Sequence, residues 1–167
     1  MKKYVSLFII LMLCVSSFVF AEEFKTYKSP LFNFTISYPQ NWETKQISGI
    51  VAFLSPLENK EDKFRENVNV VVEDISGKQL SSEQYAKAAD DAWLKYDIKL
   101  RVVDFQKTNL NGKDAFYTIA ENDKLKFKQY KFVKNNTAYV LTYTSELDKF
   151  DKFLNTADTI IKSFEIK

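Results

Sequence analysis

The side chains that could do chemistry are acids, lysines and hydroxyls, because the 167-residue chain contains no histidine. That removes the commonest general base and every Ser–His or Cys–His nucleophile pair. The single cysteine, Cys14, lies in an apolar leader, so the usual zinc ligand sets are missing from the rest of the chain. No glycine-rich phosphate loop occurs among only three glycines. Asp90-Asp91 is the obvious carboxylate pair, but neighbours on a helix point about 100° apart. They read as two solvated carboxylates rather than an acid–base couple. Residues 74–83, DISGKQLSSE, hold an Asp, a Gly and a later Glu without the regular oxygen ligands of a calcium loop. This stretch reads as a strand-to-helix connection, and Ser81 and Ser82 read as helix caps rather than nucleophiles.

Two other groups of residues stand out. Lys124, Lys126 and Lys128 alternate with Leu125 and Phe127, so a strand would set three ammonium groups on one face and apolar residues on the other. Such a strip could dock an acidic protein surface or anionic headgroups, or simply protect a sheet edge from pairing. Tyr130 and Phe132 share the lysine parity, which predicts a bulge or a bend near Gln129. The second group is Tyr38, Pro39 and Trp42 in FTISYPQNW. Proline suits a strand end and holds the preceding Tyr38 extended. Gln40-Asn41 then turn the chain, and Trp42 folds back on the apolar face. That is an architectural signature rather than a ligand-stacking site.

The elements that must position these residues follow from hydrophobic period. Residues 1–21 read as a signal peptide: Lys2-Lys3, an apolar run from Tyr4 to Phe20, then cleavage after Ala21 before Glu22-Glu23. The protein is therefore expected to be exported, periplasmic or extracellular, with residues 22–167 as one domain. The leader carries two of the 24 basic residues and none of the 22 acidic ones, so the remainder is balanced. That charge balance excludes a dedicated nucleic-acid binder. Strands are expected over Phe32–Tyr38, residues 50–56 and residues 66–75. A helix follows, capped by Ser81 with Gln84 in a capping box, with Tyr85, Ala88, Ala89, Ala92, Trp93 and Tyr96 on its apolar stripe. Two hairpins turn at Asn111-Gly112 and Asn135-Asn136. A final helix from about Ser145 carries Phe150, Phe153, Leu154, Ala157, Ile160, Ile161 and Phe164. Consecutive hairpins and two amphipathic helices define an α/β fold of the α+β kind, an antiparallel sheet covered by helices.

FNFTISYPQNW resembles the opening of PsbP-like domains, where a short strand leads into Tyr-Pro-x-x-Trp. VAFLSP, NVNVVVEDI, SSEQYAKAA, the Asn-Gly hairpin, QYKFVKNNTAYVLTYT and IIKSFEI follow in the family's order across residues 30–167. The resemblance implies an α/β/α sandwich with a central, mainly antiparallel sheet of about six strands. It also implies a non-catalytic domain that docks on other proteins, as photosynthetic members do on photosystem II, where they help retain calcium and chloride. Calcium is thus the one cofactor the resemblance raises, and the residues themselves indicate none. Asn41 stands where many relatives have Gly, and the metal-associated histidines of the plant proteins have no counterpart. The expected role is a monomeric binding or assembly module whose partner is an envelope or secreted protein, or a membrane surface. The alternatives are a carrier of a small apolar ligand and an unrecognised hydrolase.

Overall fold

A computed structural model describes residues 22–167; the expected signal peptide, with Cys14 and Ala21, lies outside the described residues. Strand β1 (Phe24–Lys28) pairs antiparallel with β2 (Phe34–Pro39). Proline ends β2 as expected, and the Trp42 amide donates to the Pro39 carbonyl at 3.0 Å, closing the turn. Trp42 is only 3% exposed and sits in the main core with Tyr38, whose ring lies 4.5 Å from Phe53.

Strands β3 (Glu43–Ile47) and β4 (Ile50–Leu54) form a hairpin turned by Ser48 and Gly49, both at positive φ. Strand β5 (Asn67–Asp74) leads to helix α1 (Ser82–Tyr96). Ser81 Oγ accepts from the Gln84 amide and the Gln84 side chain accepts from the Ser81 amide, so the capping box forms. Strands β6 (Arg101–Leu110) and β7 (Lys113–Glu121) turn at Asn111-Gly112, and β8 (Leu125–Lys134) and β9 (Thr137–Glu146) at Asn135-Asn136. All four turn residues have positive φ, the requirement of a two-residue turn that matches strand twist. Helix α2 (Phe150–Lys162) and the short strand β10 (Glu165–Ile166) end the chain.

The central sheet has seven strands, one more than the expected six or so, in the order β3-β4-β5-β9-β8-β7-β6, all antiparallel. A second sheet, β1-β2-β10, lies with α2 over one of its faces, and Phe34, Ile36, Phe53, Phe132, Tyr143, Ile160, Ile161 and Phe164 make the core between them. Helix α1 packs on β7 and β8 across the opposite face. Asn111 joins the layers: its side-chain amide donates to the Lys162 and Phe164 carbonyls, both at 2.8 Å, occupying acceptors that the end of α2 leaves open.

Three expectations change. The last helix begins at Phe150, because residues up to Glu146 pair with β8 and Ser145 is wholly buried. The α1 stripe is rotated: Tyr85, Ala86 and Asp90 are buried, whereas Tyr96 is 91% exposed. The bulge expected near Gln129 is absent, since β8 keeps continuous register with both neighbours. The parity conflict is resolved differently, because both faces of β8 are covered by a helix.

Candidate functional site

Leu54, Asn67, Glu121, Leu125 and Glu146 are strand termini at the same end of the large sheet. Three connections therefore meet there: residues 55–66, residues 122–124 and residues 147–149. Each is shaped by its own side chains. Asn122 Oδ1 accepts from the amides of Lys124 and Leu125 at 3.0 and 2.9 Å, and Asn59 Oδ1 from those of Glu61 and Asp62 at 2.9 and 3.0 Å. These are turns in which a side-chain amide replaces a backbone acceptor. Arg65 clamps the base of the longest loop, donating to the Leu54 and Ser55 carbonyls and pairing with Glu43.

Between the loops lies a cleft of about 470 Å³. Phe64, Leu125 and Leu147 give it an apolar lining, and Asp123, Lys124, Glu146 and Asp148 stand around it. A second hollow of about 460 Å³ adjoins it at Glu146 and is walled by Glu58, Asp62 and Lys149. The Lys149 ammonium meets Asp62 and Glu146 at 2.9 Å each and Glu58 at 3.5 Å. Hydrogen bonds donated to Glu146 and Asp62 raise the Lys149 pKa, and the bond from Lys149 lowers that of Asp62. Lys149 is thus held charged, without the lone pair a nucleophile or base requires.

Other reactive groups are sealed. Glu66 is wholly buried, and Ser55 and Ser145 donate to its carboxylate at 3.3 and 3.5 Å. That contact pairs hydroxyls with a base where no substrate enters. Asp90, expected in solvent, is 7% exposed under α1 and accepts from Lys131 Nζ at 2.6 Å and from Thr118 Oγ1 at 2.7 Å. Lys131 Nζ also donates to Thr118 at 2.7 Å. The correction has a simple cause: the rotation of α1 that exposes Tyr96 turns Asp90 inward, where a buried lysine compensates its charge. Burial drives the Lys131 pKa down, and Asp90 opposes this only in part. Asp91, by contrast, is exposed. Among the described residues no group of three or more acids, histidines or cysteines is arranged to hold a metal ion. In the 74–83 connection, Asp74 Oδ1 accepts from the Ser76 amide at 2.9 Å.

The lysine row is not a free cationic strip. Lys124 precedes β8 and is exposed on the cleft rim. The Lys126 ammonium lies 4.7 Å from the centre of the Phe150 ring. Lys128 reaches Asp158 of α2 at 2.9 and 3.0 Å, between the rings of Tyr117 and Tyr130. Burial works against the Lys128 charge, but Asp158 and Tyr130 outweigh it and the pKa rises. Long lysine stems cover apolar surface while their heads find anions or ring faces, so Lys126 and Lys128 hold α2 to the sheet. The residues missed by sequence reasoning, Phe64 and Leu147, sit in irregular connections where no hydrophobic period marks them.

A seven-stranded antiparallel sheet covered by α2 and a small sheet on one face, and by α1 on the other, places the protein in the class of α+β sandwich domains that present their loops at one end. The chain matches the family model described as PsbP-like protein over residues 16–166, and it belongs to that family. The solution structure of cyanobacterial PsbP from Synechocystis sp. PCC 6803 superposes with a TM-score of 0.66 at 14% identity, covering 93% of this chain and 99% of that one. A Pseudomonas aeruginosa protein gives 0.62 at 12% identity, covering 86% and 97%. LpqN of Mycobacterium tuberculosis, described as involved in cell envelope biogenesis, gives 0.54 at 13% identity, covering 85% and 89%. Identities this low establish the fold alone. No curated protein matches the sequence. No helix of the described residues is long and apolar enough to cross a membrane.

Proposed function

We propose that this protein is an exported, non-catalytic binding module that docks on an envelope or secreted protein through the cleft at the loop end of its sheet. The observation that carries the reading is the composition of that cleft: an apolar floor of Phe64, Leu125 and Leu147 inside a rim of both charge signs. Leu147 is 41% exposed, and Leu57 in the neighbouring loop is 50% exposed. An apolar centre within a polar rim is the anatomy of a protein interface. Among the expected contacts, Lys124 remains on the rim, while Lys126 and Lys128 serve the core behind it. The leader sequence and the family's membership of extrinsic proteins support export. Lys149 held charged and Glu66 sealed both weigh against the hydrolase reading. Against the apolar carrier, aromatic rings fill the space between the large sheet and α2, with Phe132–Tyr139 and Tyr143–Phe150 both at 5.0 Å.

The test is a photo-crosslinking residue placed at Leu147 in the native host, with the same residue at Lys134, at the opposite end of the sheet, as control. A discrete adduct from position 147 and none from 134 is expected, and Leu147→Asp should abolish capture while leaving the unfolding midpoint unchanged. Equal adducts from both positions, or capture undiminished in Leu147→Asp, would refute docking at the cleft.

A further inference from the structure

One face of the seven-stranded sheet is only half covered. Helix α1 packs on β7 and β8 and leaves β5, β4 and β3 without a helix above them. Two rows of directly opposed residues cross into this open half. One runs Thr118, Gln129, Thr142, Asn69, and the next runs Phe127, Thr144, Asn67. Their facing is fixed by α1, because Thr118 bonds Asp90 and the Phe127 ring meets the Trp93 ring edge-on at 5.0 Å. Opposed residues on neighbouring strands share a face. Three half-buried amides and two largely buried hydroxyls, Thr142 at 7% and Thr144 at 9% exposed, therefore lie together over about 10 Å across the strands and about 7 Å along them.

Little of their hydrogen-bonding capacity is spent inside the protein. Gln129 donates to Thr142 Oγ1 at 2.9 Å, which leaves the Gln129 carbonyl and the Thr142 hydroxyl hydrogen available. Asn67 gives one N–H to the Arg65 carbonyl at 3.1 Å and keeps its own carbonyl. Asn69 and Thr144 make no side-chain hydrogen bond within the described residues. Asparagine is depleted in strands, yet β5 carries two at alternate positions on this face while its buried face is valine.

The flank of α1 that borders the patch is cut back to alanine. Ala88, Ala89 and Ala92, with Tyr85, Leu80 and Glu73, enclose a cavity of about 220 Å³. Trp93 and the protruding Tyr96 stand further along the same helix. At the margins Lys78 lies 3.6 Å from Glu73, and Glu43 stands between Arg65 and Lys45, the latter at 3.8 Å. We propose that this face binds a neutral saccharide, its hydroxyls paired with Asn67, Asn69, Gln129, Thr142 and Thr144 and its C–H face against Trp93 and Tyr96. A side-chain amide donates and accepts at once, as neighbouring sugar hydroxyls demand, and aromatic rings supply an apolar surface for the ring face. None of the five patch side chains is charged, so a phosphorylated or polyanionic ligand finds no cation within it. An apolar helix laid across it would bury the amides unpaired, a cost sugar hydroxyls avoid. This site adjoins the cleft, since Leu125 and Glu146 are the next opposed pair on the same face beyond Phe127 and Thr144, but it uses different residues and does not depend on it.

The test is an NMR titration of the purified protein with three neutral tetrasaccharides: β-1,4-linked N-acetylglucosamine, β-1,4-linked glucose and α-1,4-linked glucose. At least one should shift the side-chain amide signals of Asn67, Asn69 and Gln129 and the Trp93 indole signal, with backbone changes confined to β5, β8, β9 and α1. Asn69→Ala and Thr144→Val should each weaken binding roughly tenfold, the equivalent of one hydrogen bond, without lowering the unfolding midpoint. Leu147→Asp should bind the sugar as the parent does. No binding to any of the three at millimolar concentration, shifts mapping to another surface, or unchanged affinity in the Asn69→Ala/Thr144→Val double variant would overturn the proposal.

Discussion

Replacing Lys131 by methionine should be among the most damaging single changes in this protein. The Lys131 side chain is 0% exposed and that of Asp90 10%, with 2.6 Å between Nζ and Oδ1. At an effective dielectric constant of about 20, opposite charges at that distance attract by roughly 6 kcal/mol. The cost of removing both from water offsets much of this, so the pair adds little net stability. Removing one partner exposes the imbalance: Lys131→Met leaves the Asp90 carboxylate with Thr118 alone, at a cost of about 3–5 kcal/mol. For a domain of this size that lowers the unfolding midpoint by on the order of 10 °C. The double variant Asp90→Leu/Lys131→Met should return to within about 1 kcal/mol of the parent or exceed it. Asp90→Leu alone adds a pH signature. The folded-state pKa of Lys131 lies below its unfolded value, so between the two the unfolded chain binds the extra proton and stability rises with pH. Without Asp90 that pKa falls further, so the Asp90→Leu deficit should shrink as pH rises toward the ordinary lysine value of about 10.4. Urea unfolding of the four proteins at neutral and alkaline pH measures all of this. A cost below about 1 kcal/mol for Lys131→Met, or a double variant as unstable as the two singles summed, would refute the buried pair.

Two further outcomes are expected. Trp42→Ala should cost about 3–5 kcal/mol, the usual loss for a buried aromatic, read as a sharply lower urea midpoint. Retained stability would show that Trp42 does not close the core. Intact mass of the protein recovered outside the cytoplasm should begin at Glu22, and a form retaining residues 1–21 or starting at a lipidated Cys14 would refute cleavage after Ala21.

Elements whose residues divide between core and solvent were legible from order and spacing alone. Phe34, Ile36 and Tyr38 marked β2, the Ser81–Gln84 pair marked the start of α1, and the asparagine turns marked both long hairpins. The strands that were not legible carry little burial to read. In β1 only Tyr27 is half-buried, and in β3 only Thr44. Strand β10 is two residues long. Lys128 and Asp90 were misjudged for a different reason. Each looks solvated until its partner is known, and those partners, Asp158 and Lys131, are 30 and 41 residues away in sequence. The seven-stranded count followed from the unread edge strand β3. The cleft drew its apolar lining from two separate connections and the start of β8, so no local window contained it.

Strand β2 has the first strand of the fold on one side and the last on the other. The Lys167 amide donates to the Asn33 carbonyl at 2.8 Å, and the Asn33 side chain returns a bond to the Lys167 carbonyl at 2.8 Å. A quarter of the buried main core, five residues of twenty, comes from α2 and Phe164. Without α2 and β10 the rest of the chain leaves that core open and β2 unpaired on one side. Contacts of such long sequence separation form slowly, so closure of the small sheet waits on two residues that lie more than 120 positions from β2. That wait would suit the exported protein proposed above, which must cross a membrane before it folds.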